Sequence, residues 1–313
     1  MASNETQAAG AAPAAETTEA SLLDQIVDQG RFGSETAARQ RGRDLISKFV
    51  AEVLDGAIVV RPDTESMLNA RIAEIDRLLS VQLAEIMHQP GFAKLEGTWR
   101  GLNYLVMNSE TGTSLKIRVL NATKRELNRD LTKATEFDQS QLFKKIYENE
   151  FGTPGGEPYG ALIGDYEWSN HPDDMETLRL VSNVAAASFA PFLSAAGAGL
   201  FGFSDWTELS KPRDLAKIFE TAEYMKWRSF RDTEDSRFVS LVMPRVLARL
   251  PYGANTKPIE EFGYEEAPFN EAGAAQAMGH HDYCWMNAAY VMGTRLTDAF
   301  AKYGFCTAIR GAE

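Results

Sequence analysis

Residues 159–203 constrain the fold more than any other stretch, because they place a long apolar helix between two short apolar runs. Ala161-Leu162-Ile163 lies between glycines and predicts a buried strand, after which residues 165–168 are expected to leave the sheet. Phe192–Ala196 predicts a second buried strand. Between them, residues 180–189 are apolar on nearly every side of a helix. A helix without a polar side must be surrounded by protein, so we expect a large interior.

The start of that helix is marked by several independent signals. Asn170 or His171 can cap it, and Pro172 suits its first turn. Asp173 and Asp174 follow, where carboxylates complement the positive end of a helix. These features predict a helix that begins at Pro172.

Two other interpretations of this region are rejected. Residues 180–204 carry no charge and are long enough to span a bilayer, but Pro191 and the glycines that follow favour a core helix and a core strand. The glycines at 197–202 match a dinucleotide-binding pattern only in their spacing. In a true site the pattern lies at the start of a helix, whose first amides bind phosphate, and no long helical pattern follows here. No cofactor is therefore expected.

The charge balance excludes several classes of partner. The chain has 313 residues and a formal net charge of −12, which argues against binding to nucleic acid or to anionic membrane surfaces. Cys284 and Cys306 form no CxxC pair, so no disulfide framework or zinc site is indicated. The first residues contain neither a basic cluster nor an apolar run, so we expect no signal peptide and a cytoplasmic location.

The N-terminal region is expected to form a tail and an arm. Residues 1–20 hold eight alanines and no Leu, Ile, Val or Phe, which predicts a disordered tail. Residues 21–62 are assigned to an arm and residues 63–313 to a globular α/β domain. The arm carries two apolar patches, which are the candidate partner-binding residues Leu22, Leu23, Ile26 and Val27, and Ile58, Val59 and Val60. It either docks on its own domain or packs on a neighbouring subunit.

Strands that alternate with helices indicate an α/β (α+β) fold with a mixed sheet core. The further predicted strands are Leu115–Val119, Phe238–Met243 and Phe305–Ile309. The further predicted helices include 63–89, Trp99–Val106, Thr123–Ala134, Gln139–Asn149, Pro212–Phe219, Ala222–Phe230 and His281–Tyr303. Residues 250–273 are rich in Pro, Gly and Glu, and predict a long exposed loop whose glutamates at 260–261 and 265–266 are solvated.

The sequence contains no GxSxG, HExxH or P-loop spacing. Adjacent histidines such as His280 and His281 make a poor chelate, so no metal site is expected. The polar residues Asp165, His171 and Asp174 follow a predicted strand and carry an alternative, enzymatic hypothesis.

An aromatic residue lies among several arginines near residue 230. The alternating charges around Arg228 and Arg231 predict either a surface network of ion pairs or a polar partner interface. Trp227 in the same run favours the interface, because aromatic residues and arginine are enriched in such surfaces.

Long runs of the sequence resemble the large subunit of the bacterial type VI secretion sheath, the TssC or VipB family. The runs are YGALIGDYEW at 159–168, AAASFAPFLSAA at 185–196, LSKPRDLAKIFE at 209–220, YMKWRSFRDTEDSRFVSLVMPRVLARLPYG at 224–253 and YGFCTAIRG at 303–311. The similarity extends from about Leu45 to the end of the chain.

The resemblance implies a structural protein, not an enzyme. Members of the family form heterodimers with a small sheath subunit (TssB or VipA), and these polymerise helically around an inner tube of Hcp. The implied further partners are other copies of the chain, a ClpV-type ATPase that disassembles the contracted sheath, and the baseplate. Extended arms in the family add strands to a neighbour's sheet, and the arm of this chain, especially Leu22–Val27 and Ile58–Val60, is the candidate for that role.

Family members are substantially longer than this sequence, so the chain is expected to represent the N-terminal and middle part without the C-terminal wall-forming domain. Two alternatives remain. A related phage-tail-like contractile device would share the mechanism, and a soluble α/β enzyme would use the site near Asp165.

Overall fold

The computed structural model describes residues 36–54, 64–260, 262–270, 273–307 and 309–310. It divides into two units, residues 1–75 and 76–313. The described part of the first unit is helical, with α1 at Thr36–Leu54 and the first turns of α2 at Thr64–Met87. The assignment of residues 1–20 to a tail falls outside the described residues and stays a prediction.

The second unit combines helices with two small sheets. Its helices after α2 are α3 (Pro90–Met107), α4 (Lys124–Lys133), α5 (Gln141–Phe143), α6 (Pro172–Ala187), α7 (Met225–Arg231) and α8 (Ala288–Tyr303). Its strands are β1 (Leu162–Trp168), β2 (Phe192–Ala196), β3 (Val239–Val242), β4 (Val246–Leu247) and β5 (Trp285–Met286). A π-helix, Lys144–Phe151, continues directly from α5. The predicted α/β fold class is confirmed.

The larger sheet is parallel, in the order β1-β2-β3. Phe192 of β2 pairs with Leu162 of β1 on one side and with Val239 of β3 on the other. All five residues of β2 are buried, as its continuous apolar run predicts. β4 and β5 form a separate antiparallel pair, with Val246 opposite Met286.

Strand β1 is longer than its sequence suggests. The expectation that residues 165–168 leave the sheet is wrong, because the strand continues to Trp168. After a register shift, Glu167 pairs with Ala195 and Trp168 with Ala196. Alternation explains the polar residues: Glu167 is exposed, whereas Trp168 is fully buried.

A buried hydroxyl joins the two long strands of this sheet. Ser194 of β2 is fully buried, and its Oγ lies 2.8 Å from the carbonyl oxygen of Gly164 and 2.9 Å from that of Tyr166. The same Oγ accepts a hydrogen bond from the indole Nε1 of Trp168 over 2.8 Å. Both polar groups are therefore satisfied inside the core, where an unpaired one would cost about 1–3 kcal/mol.

Helix α6 begins as predicted. His171 is its N-cap and its Nδ1 accepts from the amide of Asp173, while Pro172 occupies the first turn. The buried side of the helix includes Leu178, Val181, Val184 and Ala185, which pack against the sheet residues of the core. The apolar sequence between residues 180 and 187 is therefore core, as expected.

The prediction is wrong at the end of this helix, for Phe189. Its side chain is 70% exposed and its φ is +52°, which is the left-handed region. The helix ends at Ala187, and the amides of Phe189 and Ala190 donate to the carbonyls of Ala186 and Ala185. The left-handed turn that leads into β2 directs this ring to the surface.

Several other boundaries differ from the predictions. The last helix begins at Ala288, not at His281, because Asn287 caps it by accepting from the amide of Ala289. Helix α3 starts at Pro90, earlier than the predicted Trp99. Of the predicted helix at 212–219, only a 3-10 segment at Ala216–Glu220 forms.

The predicted strands Leu115–Val119 and Phe305–Ile309 form no ladder with any described residue. In the first, Leu115 and Ile117 are half-buried, while Lys116 pairs with Glu157 and Arg118 with Glu150. Alternating burial therefore arises at residues 115–118 without a paired strand, but it stops at Val119, which was expected to be buried and is 68% exposed.

The side of helix α3 that packs closely on β5 and α8 carries two glycines. A Cβ at Gly97 would lie 2.1 Å from the carbonyl oxygen of Trp285, and a Cβ at Gly101 would lie 2.3 Å from Cδ2 of Tyr290. Leu105, one turn further along, is buried on the same side. The absence of side chains at two successive turns allows the helix to approach the backbone of β5 directly.

We expect Gly97→Ala to lower the free energy of unfolding by about 1–3 kcal/mol, since the added methyl group would displace the backbone of β5. The steric cost of the methyl group exceeds the gain of about 1 kcal/mol from the better helix propensity of alanine, so the net effect is destabilising. Urea denaturation measures the change. Asn103→Ala, at an exposed position on the same helix, is the matched control and should be neutral or slightly stabilising. Equal stability of Gly97→Ala and the wild type would contradict the close packing.

Candidate functional site

The candidate residues of the N-terminal arm lie outside the described residues. They are Leu22, Leu23, Ile26, Val27, Ile58, Val59 and Val60. Their assignment to partner binding stays a prediction.

The candidate residues of α7 are described, and each makes contacts within the chain itself. The Trp227 ring lies 5.6 Å from that of Phe219 and 6.0 Å from that of Phe230, measured between centroids. It packs against the main core and is half-buried. The guanidinium of Arg231 lies 5.9 Å from the Trp227 centroid.

The two arginines of α7 bind backbone carbonyls of the flanking segments. Arg228 Nη1 donates to the carbonyl oxygens of Phe219 and Thr221 over 2.6 Å each. Arg231 Nη1 donates to those of Ser236 and Val239 over 3.0 and 3.3 Å. These bonds stabilise the irregular segments before and after α7. The role of the same residues in partner binding stays a prediction.

The three residues of the enzymatic hypothesis occupy separate structural positions. Asp165 accepts a hydrogen bond from the Thr98 hydroxyl over 2.6 Å. Asp174 accepts from the amide and hydroxyl of Ser169 and pairs with Lys124 over 2.7 Å. His171 caps α6. Each side chain thus has a bond that supports the fold.

The two adjacent histidines both face one carboxylate. Nε2 of His281 lies 3.1 Å from Oδ2 of Asp205, and Nε2 of His280 lies 3.5 Å from Oδ1. Within the described ranges, no group of three or more His, Cys, Asp or Glu side chains could hold a metal ion. The glycine-rich stretch after β2 forms a 3-10 turn at Ala198–Phe201.

A largely buried network of charges joins α3 to the segment at 249–266. The Arg249 side chain is 5% exposed, and its two terminal nitrogens donate to both carboxylate oxygens of Glu266 over 2.6 and 2.9 Å. Its Nε donates to Glu96 over 2.6 Å, and Glu96 also accepts from Arg100 over 2.7 Å. Such bidentate, charge-assisted bonds tie α3 to the loop around residues 249–266.

Sequence reasoning missed this network. The expectation of solvated loop glutamates is confirmed for Glu260 and Glu265 but wrong for Glu266, which is buried. The amide of Tyr252 donates to Glu266 over 2.9 Å, in addition to the Arg249 pair. The partners are distant in sequence, so no local pattern distinguishes Glu266 from its neighbour.

The surroundings of Glu266 shift its acidity. Burial alone would raise the pKa of its carboxyl, but His88, Arg249 and the Tyr252 amide outweigh burial and lower the pKa from 4.5 to about 2. The pKa of Glu96 is also lowered, because hydrogen bonds from Arg249 and Arg100 overcome the opposing effect of burial. Both carboxylates are therefore ionised at neutral pH.

We expect Glu266→Gln to lower the free energy of unfolding by about 3–5 kcal/mol, because it removes one charge of a buried pair and leaves Arg249 poorly compensated. Denaturant titration at neutral pH measures the loss. Glu265→Gln is the matched control, because Glu265 is adjacent and exposed, and it should change stability by less than about 0.5 kcal/mol. Similar losses in the two variants would argue against the network.

The same network predicts a dependence on pH. The folded pKa of Glu266, about 2, lies below its ordinary value of 4.5, so ionisation favours the folded state. Its contribution is complete above the ordinary value and is lost as the pH falls through the folded one. The stability difference between wild type and Glu266→Gln should therefore shrink as the pH falls from 4.5 towards 2. A difference that stays constant over this range would contradict the assignment.

None of the helices formed by the described residues combines the length and the apolar character needed to cross a bilayer.

Comparison with known proteins places the chain in a family. Residues 69–313 match the VipB family model, which is described as EvpB/VC_A0108, tail sheath N-terminal domain. The type VI secretion system sheath protein TssC1 of Pseudomonas aeruginosa is 46% identical over 278 residues, which cover 88% of this chain and 54% of that protein. The chain thus spans about half the length of this curated relative. Because the family model covers most of the chain and the identity is high, the chain belongs to the VipB (TssC) family of sheath proteins.

Proposed function

We propose that this chain is the large subunit of a type VI secretion sheath, which pairs with a small sheath subunit and polymerises into a contractile tube. The observation that carries the proposal is its 46% identity with a type VI sheath protein over most of its length. This similarity favours a type VI sheath over a phage tail sheath.

The proposal requires interfaces of a particular kind. A contact between two different surfaces, repeated with a rotation and a rise, produces an open helix, whereas a two-fold contact closes on itself. Copies of the heterodimer would therefore join through unlike surfaces around the inner Hcp tube. The work of contraction would come from interfaces that fit better in the contracted arrangement, with no nucleotide bound by this chain.

The N-terminal arm is the proposed link between neighbouring subunits. An extended segment that adds to a neighbour's sheet is held by backbone hydrogen bonds and leaves a flexible connection between the bodies. Subunits could then rotate during contraction without separating. The apolar patches at 22–27 and 58–60 supply side chains for such contacts, and residues 227–231 would contribute the exposed part of α7.

The remaining proposed partners follow from the same role. They are a ClpV-type ATPase that recycles the contracted sheath and a baseplate from which the tube grows, both in the cytoplasm. An enzymatic role is not favoured, since the carboxylates are already engaged in the fold. Asp165 accepts a hydrogen bond from Thr98, and Asp174 accepts one from Ser169 and pairs with Lys124.

We expect deletion of residues 1–30 to abolish tube growth while the globular part stays folded, because the first apolar patch of the arm is lost. The deletion is made in a full-length version that carries the C-terminal part of the family, and this version is co-expressed with the small sheath subunit. Tubes are scored by negative-stain electron microscopy, and folding is checked by circular dichroism. Deletion of residues 1–20 is the matched control, since it keeps residues 22–27 and should leave tubes intact. Tubes of normal length without residues 1–30 would refute the arm assignment, and a full-length version that forms neither a complex nor tubes with the small subunit would refute the sheath role.

A further inference from the structure

Helix α4 carries three cations on one side. Arg125, Arg129 and Lys133 follow one another at intervals of four residues, and all three are exposed. Residues four apart lie on the same side of a helix, so these side chains form a row about 12 Å long. We name the three residues the basic stripe.

The fold does not use the charges of the basic stripe. Among the described residues, none of its three side chains has an ion-pair partner or a hydrogen bond. The carboxylates of the same helix are engaged elsewhere. Glu126 belongs to the capping box of α4, and Asp130 accepts from the amides of Gln141 and Leu142 over 3.0 and 2.9 Å. The stripe is therefore left to bind an external anion.

An open groove of about 450 Å³ adjoins the basic stripe. Its lining residues are Glu126, Arg129, Asp130, Lys133, Ala134 and Gln139. Residues 124–145 contain six Lys or Arg and four Asp or Glu, so their net charge is +2, whereas the whole chain carries −12. At physiological salt such a charge acts over about 8 Å, which favours an acidic ligand at this surface.

The sequence contains a segment of complementary charge. Residues 16–28, ETTEASLLDQIVD, carry four carboxylates and no Lys or Arg. Two other acidic runs without Lys or Arg, residues 146–178 and 258–272, belong to the second unit. Within that unit they supply the carboxylates that pair with Arg118 and Arg249. Charge complementarity therefore favours residues 16–28 as the ligand.

We propose that the basic stripe of α4 binds the acidic segment 16–28 of a second copy of the chain. The proposal rests on the proposed function, in which the arm links neighbouring subunits, and it assigns the surface that receives the first part of the arm. The second apolar patch, at 58–60, stays available for strand addition. A contact between two unlike surfaces repeats from copy to copy and produces an open chain of subunits.

The spacing of the charges supports this pairing. Asp24 and Asp28 are four residues apart, as are successive cations of the basic stripe. Bound as a helical turn, the segment places these carboxylates about 6 Å apart along its axis, opposite two cations at the same interval. Exposed ion pairs are individually weak and are screened by salt. The contact is therefore reversible, which suits a link between subunits that rotate.

Photo-cross-linking between two copies of the full chain tests the contact. In one copy Gln25 is replaced by a benzophenone amino acid, and the other copy carries an affinity tag. We expect a cross-link between the copies that mass spectrometry locates on α4 of the tagged copy. A cross-link to another element, a cross-link only within one copy, or no cross-link would each overturn the proposal.

Charge reversal in the tagged copy measures the role of the basic stripe. The stripe variant combines Arg125→Glu, Arg129→Glu and Lys133→Glu. The matched control has the same change of net charge at three exposed cations outside α4: Lys94→Glu, Arg213→Glu and Lys217→Glu. We expect the stripe variant to lower the cross-link yield at least about tenfold and the control to stay within about twofold of wild type. Equal yields in the two variants would overturn the proposal.

A charge exchange separates a lost contact from a lost fold. Asp24→Lys combined with Asp28→Lys in the benzophenone copy should restore the cross-link to the stripe variant, because the charges are then complementary again. Failure to restore it, in a stripe variant that circular dichroism shows to be folded, would contradict the pairing. If the reversed stripe unfolds the chain, glutamine at the same three positions replaces it, with an expected loss of about fivefold.

The outcomes separate this contact from the function on which it rests, because cross-linking requires neither the small subunit nor tubes. If a full-length version forms tubes with the small subunit but the cross-link is absent, the stripe assignment is wrong and the sheath role stands. If no tubes form, the sheath role is wrong, whatever the cross-link shows.

Discussion

Burial of β2 on both faces is the constraint on which the rest of the second unit depends. A parallel strand whose five residues are all buried needs a helix on each face of its sheet, and α6 and α8 both contact it. Its one polar side chain, Ser194, is tolerated because it meets Trp168 and the carbonyls of β1. Helix α3 then packs on α8 and β5 as a further layer.

The features that were predictable from sequence are those set by neighbours along the chain. Phe192–Ala196 is a strand with the predicted bounds, because a short apolar run between Pro191 and Gly197 has few alternatives. The start of α6 follows from the cap at His171 and the proline after it. Family membership was also predictable from the sequence, because long runs that resemble a family carry more information than any short motif.

The features that could not be predicted depend on residues that are far apart in sequence. In the sequence, Glu266 cannot be distinguished from its exposed neighbour Glu265. Its burial depends on the network with Arg249 and Glu96, which are distant in sequence. Burial alternates at residues 115–118, but hydrogen-bonded pairing needs a strand alongside, which no local pattern supplies. Phe189 shows a third cause, since a helix can end within an apolar run when the chain turns through a left-handed residue. The candidate contact residues of the arm, at 22–27 and 58–60, stay untested because they lie outside the described residues.

The glycine side of α3 also has a consequence for synthesis on the ribosome. The helix emerges early, but Trp285 and Tyr290, which cover Gly97 and Gly101, are encoded about 190 residues later. At ordinary bacterial elongation rates, that interval is about 10–40 s, during which the nascent helix lacks its final neighbour. Cellular factors that shield hydrophobic segments would therefore have their greatest effect on this protein before translation reaches α8.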